Sequence, residues 1–312
     1  MVNFRFHVVS IIAVFLALAI GTVLGSAFVG RGVIDNLQGR INTVQKAADD
    51  TRDRNEHLKS DIDVLTRYTR QTANYAVGRS LAGVRVDLVA ERGVDGGAVD
   101  AQATLLRQAG ATVPGVIWLE PRLKLTSRAD QADLRTATGL TNRGVASLRA
   151  GAAGVVGRRL AAPPPTGDDV LVALADQKFV TLTGAAGSAT PAAAEFSGDA
   201  RALLIGGPAS DLPADVVPAL AGGLVDGKAK VAIGEVFVIT DTVKNRSDWI
   251  DPIASDDALR NVVSTIDDLE RIEGQVACTL ALAELGAGGH GNYGLARERT
   301  VPEKVVTAPL AR

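Results

Sequence analysis

Hydrophobic positions change rhythm three times along the chain. Over residues 8–29 they are continuous, VVSIIAVFLALAIGTVLGSAFV, with serine and threonine the only polar members apart from glycine. A hydrocarbon core about 30 Å thick takes roughly 20 such residues at 1.5 Å rise each, so the run predicts a transmembrane helix. Gly25, Ser26 and Ala27 are small enough to admit a cleaved leader instead. Two features favour retention: the stretch exceeds the usual signal-peptide core of about 7–15 residues, and helical patterning continues beyond it. Gly21 and Gly25 form a G-x-x-x-G pair, which permits close transmembrane helix packing; chance glycines in a glycine-rich chain are the plain alternative.

The second rhythm is a heptad. Ile34, Ile41, Ala48, Asn55, Ile62, Thr69 and Ala76 take position a, and Leu37, Val44, Thr51, Leu58, Leu65 and Thr72 take position d. The pattern predicts a coiled coil with its interface at Ile34, Leu37, Ile41, Val44, Asn55, Leu58, Ile62 and Leu65. β-Branched a with leucine d favours two parallel strands, and a lone asparagine at a fixes register. The seam is weakened by alanine and threonine, and Arg54 (g) would face Lys59 (e) across a parallel homodimer. The expected partner is therefore a second copy, the alternative being a long amphipathic helix that packs on the chain's own α/β domain or on another protein. Either way about 43 helical residues extend roughly 65 Å at 1.5 Å each, a spacer as a minimum.

After Gly78 and Gly83 the rhythm becomes short apolar runs separated by amphipathic stretches. Val84, Val86, Leu88 and Val89 predict a buried strand; 98–109 a helix that stops at Gly110; 113–119 a second strand. Strand, helix, strand is the signature of a parallel sheet. Residues 202–205 and 230–239 predict further strands around a helix at 214–224, whereas 151–167, with Pro163, Pro164 and Pro165, and 184–199 read as loops or linkers. The expected class is α/β: a transmembrane helix (1–30), a coiled coil (31–78), a Rossmann-like or flavodoxin-like domain with a mostly parallel sheet (79–294) and a C-terminal tail (295–312).

Charge narrows function. Lys and Arg (33) nearly balance Asp and Glu (35), so no electrostatic footprint for nucleic acid exists. Cys278 is the single cysteine, which excludes an intramolecular disulfide and a thiolate cage, and its setting in QVACTLALAEL reads as a small buried hydrophobe on a helix ended by Gly286. No G-x-S-x-G is present, and the three histidines, His7, His57 and His290, fall in unrelated settings, so no catalytic triad and no metal ligand set is expected. Gly289, Gly291 and Gly294 match G-x-G-x-x-G, but no βαβ unit follows them. Gly206 and Gly207, with Pro208 and Ser210, sit where open α/β sheets bind ligands; a tight turn or helix cap at Ser210 or Asp211 is the plainer reading. Asp267 and Asp268 are adjacent carboxylates whose side chains a strand would send to opposite faces, so a turn or cap is expected there.

Both ends of the chain resemble one family. HVVSIIAVFLALAIGTVLGS from His7, then VSTIDD from Val263, LALAEL from Leu280 and GGHGNYG from Gly288 are similar to the actinobacterial copper transport proteins typified by mycobacterial copper transport protein B. The family motif residues are Asp267, Asp268, Gly289, Gly291, Tyr293 and Gly294. The resemblance implies copper handling in the cell envelope, a cytoplasmic N-terminus and an exported bulk; copper as a cofactor rests on it alone. Copper(I) prefers thiolate, thioether and imidazole ligands, and with one Cys, three His and Met1 the chain is poor in them. A membrane-anchored, noncatalytic interaction scaffold or regulator is the expectation, with a copper efflux or homeostasis factor as the alternative.

Overall fold

The structure is a computed structural model that describes residues 4–196, 198–238 and 250–294. The side chains of residues 26–35, 251 and 254 are outside that description, as are the tail 295–312 and the end of the strand expected at 230–239; the side chain of the seam position expected at Ile34 therefore lies outside the described residues. The chain divides into two compact units, one through Arg67 and one from Tyr68.

α1 (Phe4–Val77) is a single helix of 74 residues with no proline in it. It stops where Gly78 turns left-handed at φ +49° and its N–H bonds Asn74 O at 3.0 Å, the glycine C-cap foreseen from the sequence. The last turns of α1 belong to the second unit, where Ala73 and Val77 enter the core.

The second unit then runs β1 (Val86–Glu91), α2 (Gly96–Gln108), β2 (Val116–Leu119), α3 (Arg128–Thr138), α4 (Val145–Leu160), α5 (Val170–Asp176), β3 (Val180–Thr183), β4 (Arg201–Gly206), α6 (Val216–Asp226), β5 (Lys230–Glu235), α7 (Asp251–Ala254), β6 (Val263–Ile266), α8 (Ile272–Gly286) and β7 (Asn292–Tyr293). The seven strands form one sheet in the order β3-β2-β1-β4-β5-β6-β7, parallel throughout except for the antiparallel edge strand β3. Strands buried on both faces favour apolar runs, and residues 88–90, Val116–Leu119 and residues 202–205 supply them. One core, under the end of α1, α2 and α8, takes Leu88, Ala90, Leu203, Ile205 and Ala232; the other, under α3 to α6, takes Val89, Ile117, Leu204 and Ile233.

The expected linker at 151–167 is a correction. Its first ten residues lie in α4, and only the part after Leu160 is loop. The glycines that look like linker composition are packing devices: a Cβ on Gly157 would collide with Leu220 O, and one on Gly223 with Gly154 O. Their absence lets the backbones of α4 and α6 approach, a gain that offsets the cost of about 1 kcal/mol per helical glycine. Arg149 fastens the same pair, donating from Nε and Nη2 to both oxygens of Asp215 at 2.8 Å. The loop expected over 184–199 is largely irregular, with one short 3-10 turn at Ala193–Glu195. It is held by buried Arg159, which pairs with Asp169 (2.8 and 2.6 Å) and donates to Phe196 O and Ala193 O.

Candidate functional site

The first candidate surface is on α1. Phe4–Gly25 is 22 residues long, apolar and unburied by the rest of the chain, and at 1.5 Å each it covers a bilayer core about 30 Å thick. Within it Thr22 donates its hydroxyl to Leu18 O and Ala19 O, which satisfies that polar side chain inside the helix. Further along, Leu37, Ile41, Val44, Leu58, Ile62 and Leu65 are each more than half exposed. Gly21 and Gly25 face open space. Carrying the heptad back in sevens puts them at b and f, on the side of the helix away from a and d, so the glycine pair and the seam cannot meet the same partner helix.

The second candidate is the carboxyl edge of the sheet. Strand registers pair Ala90 with Ile205, Gly206 with Glu235, and Ile266 with both Gly234 and Tyr293. One position at this edge therefore aligns Glu91, Gly206, Glu235, Asp267 and Gly294 across five neighbouring strands. Strand alternation turns the acids to the face of Val89, Ile233 and Val263. All three acids are at most 1% exposed. Sequence reading singled out Asp267 in this row and missed Glu91 and Glu235. The signal was available: VDLVAE and KVAIGE are apolar runs that each end in glutamate.

Glu91 accepts from the Ser210 hydroxyl and the Gly207 N–H, while its Oε2 is buried with no hydrogen-bond partner. Burial pushes its carboxyl up to about 8, the two hydrogen bonds opposing the shift. The strand order reverses between β1 and β4, and open α/β sheets bind ligands at such a point. Here the chain's own backbone fills it. Asp211 N–H bonds Arg92 O at 3.2 Å, Ser210 N–H bonds Gly207 O at 2.9 Å, and Val236 N–H bonds Gly206 O at 2.8 Å. Gly93, at φ +105°, lies so near that a Cβ would come within 2.6 Å of Ala209 O. Gly206, Gly207 and Ser210 thus form the turn expected of them, with Leu212 N–H bonding Ser210 Oγ, and Ser210 does not cap a helix. On the rim Arg92 stacks 4.4 Å over Trp118 and pairs with Glu120 at 2.6 Å. Burial works against the Glu120 carboxylate, yet hydrogen bonds from Arg92 and Thr181 hold it below the usual range.

The motif residues have structural duties. Asp268 turns left-handed at φ +60°, and its carbonyl accepts from Arg271 N–H at 2.8 Å, so the adjacent carboxylates sit on strand end and turn and share no site. Gly291 O accepts from Thr265 N–H and Tyr293 O from Asp267 N–H, which adds β7 to the sheet edge. Gly289 N–H bonds Glu284 O at 3.0 Å, and the buried Tyr293 hydroxyl donates to Glu284, an arrangement that with burial raises its pKa. Gly294, at φ +147°, packs against the Asp267 carboxylate. The G-x-G-x-x-G string contributes an edge strand. Cys278 is fully buried, and burial raises its thiol well above the ordinary value. Among the described residues no three His, Cys, Asp or Glu side chains come together to hold a metal ion.

An open α/β unit that follows a helix long and apolar enough to cross a bilayer defines a membrane-associated α/β protein. The comparison with known proteins then fixes the family: the chain belongs to the family described as Copper transport outer membrane protein, MctB, which it matches over residues 1–302. Proteins named copper transporter MctB from Mycobacterium tuberculosis and Mycobacterium bovis are 26% identical to it over 310 residues, covering 94% of this chain and 96% of theirs. That of Mycobacterium leprae is 26% identical over 336 aligned positions, covering 97% of this chain and 100% of its own. The family expected from the two ends of the chain is thereby shown, and its description is of transport, not of a catalysed reaction.

Proposed function

We propose that this protein is a single-pass, membrane-anchored scaffold or regulator of the cell envelope, which serves copper homeostasis through partners and not by ligating copper itself. The N-terminus lies in the cytoplasm and the α/β unit on the exported side. The observation that carries the reading is the exposed seam of Leu37, Ile41, Val44, Leu58, Ile62 and Leu65 on a helix continuous with the apolar span. An anchor followed by an interaction surface suits assembly. The α/β unit supports the presenting role: its strand order is that of a Rossmann-like sheet when β3 is counted, or of flavodoxin-like winding when only parallel strands are, and in both the switch point is filled by backbone.

The second reading, direct handling of copper, draws on the names of the relatives. Against it stands the donor set: the one thiol is buried and raised in pKa, and the three histidines lie in a transmembrane stretch, on an exposed helix face and in a glycine loop. The described strands also form an open sheet, not the closed antiparallel barrel of an outer-membrane channel. Titration of the full chain in nanodiscs with copper(I), against a chromogenic chelator, is expected to show no tight stoichiometric site. One copper held per chain with nanomolar or stronger affinity overturns the scaffold reading in favour of the second. Asn55→Leu removes the polar register device and is expected to alter the set of cross-linked complexes recovered from membranes; an unchanged set argues against the seam as the working surface.

A further inference from the structure

The seam of α1 is flanked by charge of one sign. In its heptad the e and g positions between Leu37 and Leu65 hold Arg40, Arg52, Arg54 and Lys59 against a single acid, Asp61, while Asp49, Asp50, Asp53, Glu56 and Asp63 occupy b, c and f. Both sets are exposed. Flanking charges at e and g set partner choice in coiled coils, whereas b, c and f face away from the partner. A parallel pair of copies would place each g residue against the e residue five further on in the other chain. That geometry sets Arg54 against Lys59 twice and supplies no attractive pair, since Arg40 meets Gln45, Ala47 meets Arg52 and Asp61 meets Thr66.

We propose that the seam of α1 from Leu37 to Leu65 docks a helix of a different protein whose own flanking positions are acidic, and that it is built against pairing with a second copy. The inference rests on the reading of the seam as an interaction surface. Opposite charges at the four basic positions replace two repulsions by four attractions, and the like-charge pair at Arg54 and Lys59 is the repulsive element that makes the choice specific. Lipid headgroups are not the counterpart. Arg52 lies 27 residues beyond Gly25 along one continuous helix, about 40 Å at 1.5 Å each, several screening lengths of about 8 Å from a bilayer surface.

Two synthetic helical peptides test this on the full chain in nanodiscs. They share isoleucine and leucine at a and d and one asparagine to face Asn55, and differ only in carrying glutamate or lysine at every e and g. Each exposed pair is worth roughly a factor of two as an attraction and as much again as a repulsion, so with four basic positions set against Asp61 the glutamate peptide is expected to bind roughly sixtyfold more tightly than the lysine peptide at low salt, with the gap closing in about 0.5 M sodium chloride as screening requires. The double variant Arg54→Glu, Lys59→Glu is expected to shrink or invert the preference, and Lys59→Glu alone to raise self-association by creating two Arg54 to Glu contacts across a parallel pair. Equal binding of both peptides, or a parent chain that self-associates and is weakened by Lys59→Glu, overturns the acidic-partner inference and leaves the seam as an interaction surface. Binding of neither peptide together with no self-association overturns both.

Discussion

Gly294→Ala is expected to cost the α/β unit at least about 3 kcal/mol, among the largest effects any single methyl could have in this chain. Two penalties combine. The residue sits at φ +147°, a conformation essentially reserved for glycine, which costs an alanine about 1–3 kcal/mol. The new methyl would also overlap Oδ1 and Cγ of Asp267, a side chain only 1% exposed that has nowhere to retreat. Moving that carboxylate disturbs the ladder it belongs to, in which Asp267 N–H bonds Tyr293 O at 3.1 Å and Thr265 N–H bonds Gly291 O at 3.0 Å. Urea denaturation of the full chain, followed by tryptophan fluorescence, reads the loss. Gly288→Ala, on the other side of β7, separates the two penalties: Gly288 also has a positive φ, at +87°, but has open space where the methyl would go. It is expected to cost about 1 kcal/mol. Equal effects at the two positions would mean that backbone strain, and not the clash with Asp267, explains the glycine.

This contrast shows where the sequence was legible. GGHGNYG was recognisable as a motif, and the lack of a following βαβ unit argued against a dinucleotide site there, but what its glycines do was hidden, because composition cannot say what lies opposite Gly294. The parallel sheet was readable because strands buried on both faces write their burial as apolar runs, as β4 does over residues 202–205 and β1 over residues 88–90. α4 was hidden because Gly151, Gly154 and Gly157 carry the composition of a linker, while Gly154 and Gly157, three apart on one helix flank, lie against α6 and Gly151 lies against Leu140 and Asn142. The edge strand β3 left little trace, being four residues long and paired on one side only. The row of Glu91, Glu235 and Asp267 depends on register between strands far apart in sequence, and no local pattern encodes register. The seam on α1 was legible residue by residue, since a heptad is local; its partner was not, since that half of the interface is written in another chain.

Glu91→Gln is expected to stabilise the α/β unit at alkaline pH, and by an amount that grows with pH. With its carboxyl pushed up to about 8 from an ordinary 4.5, the folded protein holds a proton that the unfolded chain releases. The sign follows from linkage: below about pH 4.5 both states carry the proton and there is no penalty. Between that pH and about 8 only the folded state does, so each pH unit removes about 1.4 kcal/mol of stability. Above about 8 the loss is constant at roughly 5 kcal/mol, the full cost of placing a carboxylate in this buried position. Glutamine matches the protonated side chain in size, accepts from Gly207 N–H and donates to Ser210 Oγ, so it keeps the turn that closes the switch point while losing the titration. The variant should therefore differ little from the parent at pH 5, exceed it by a few kcal/mol at pH 7 and by the most at pH 9. Urea unfolding of parent and variant at those three values reads the difference directly, with every other titrating group common to both. A difference that does not vary with pH would show that Glu91 ionises normally and that its environment is wet. The switch point would then be open to solvent and small ligands, and the presenting role assigned to the α/β unit would lose its closed surface.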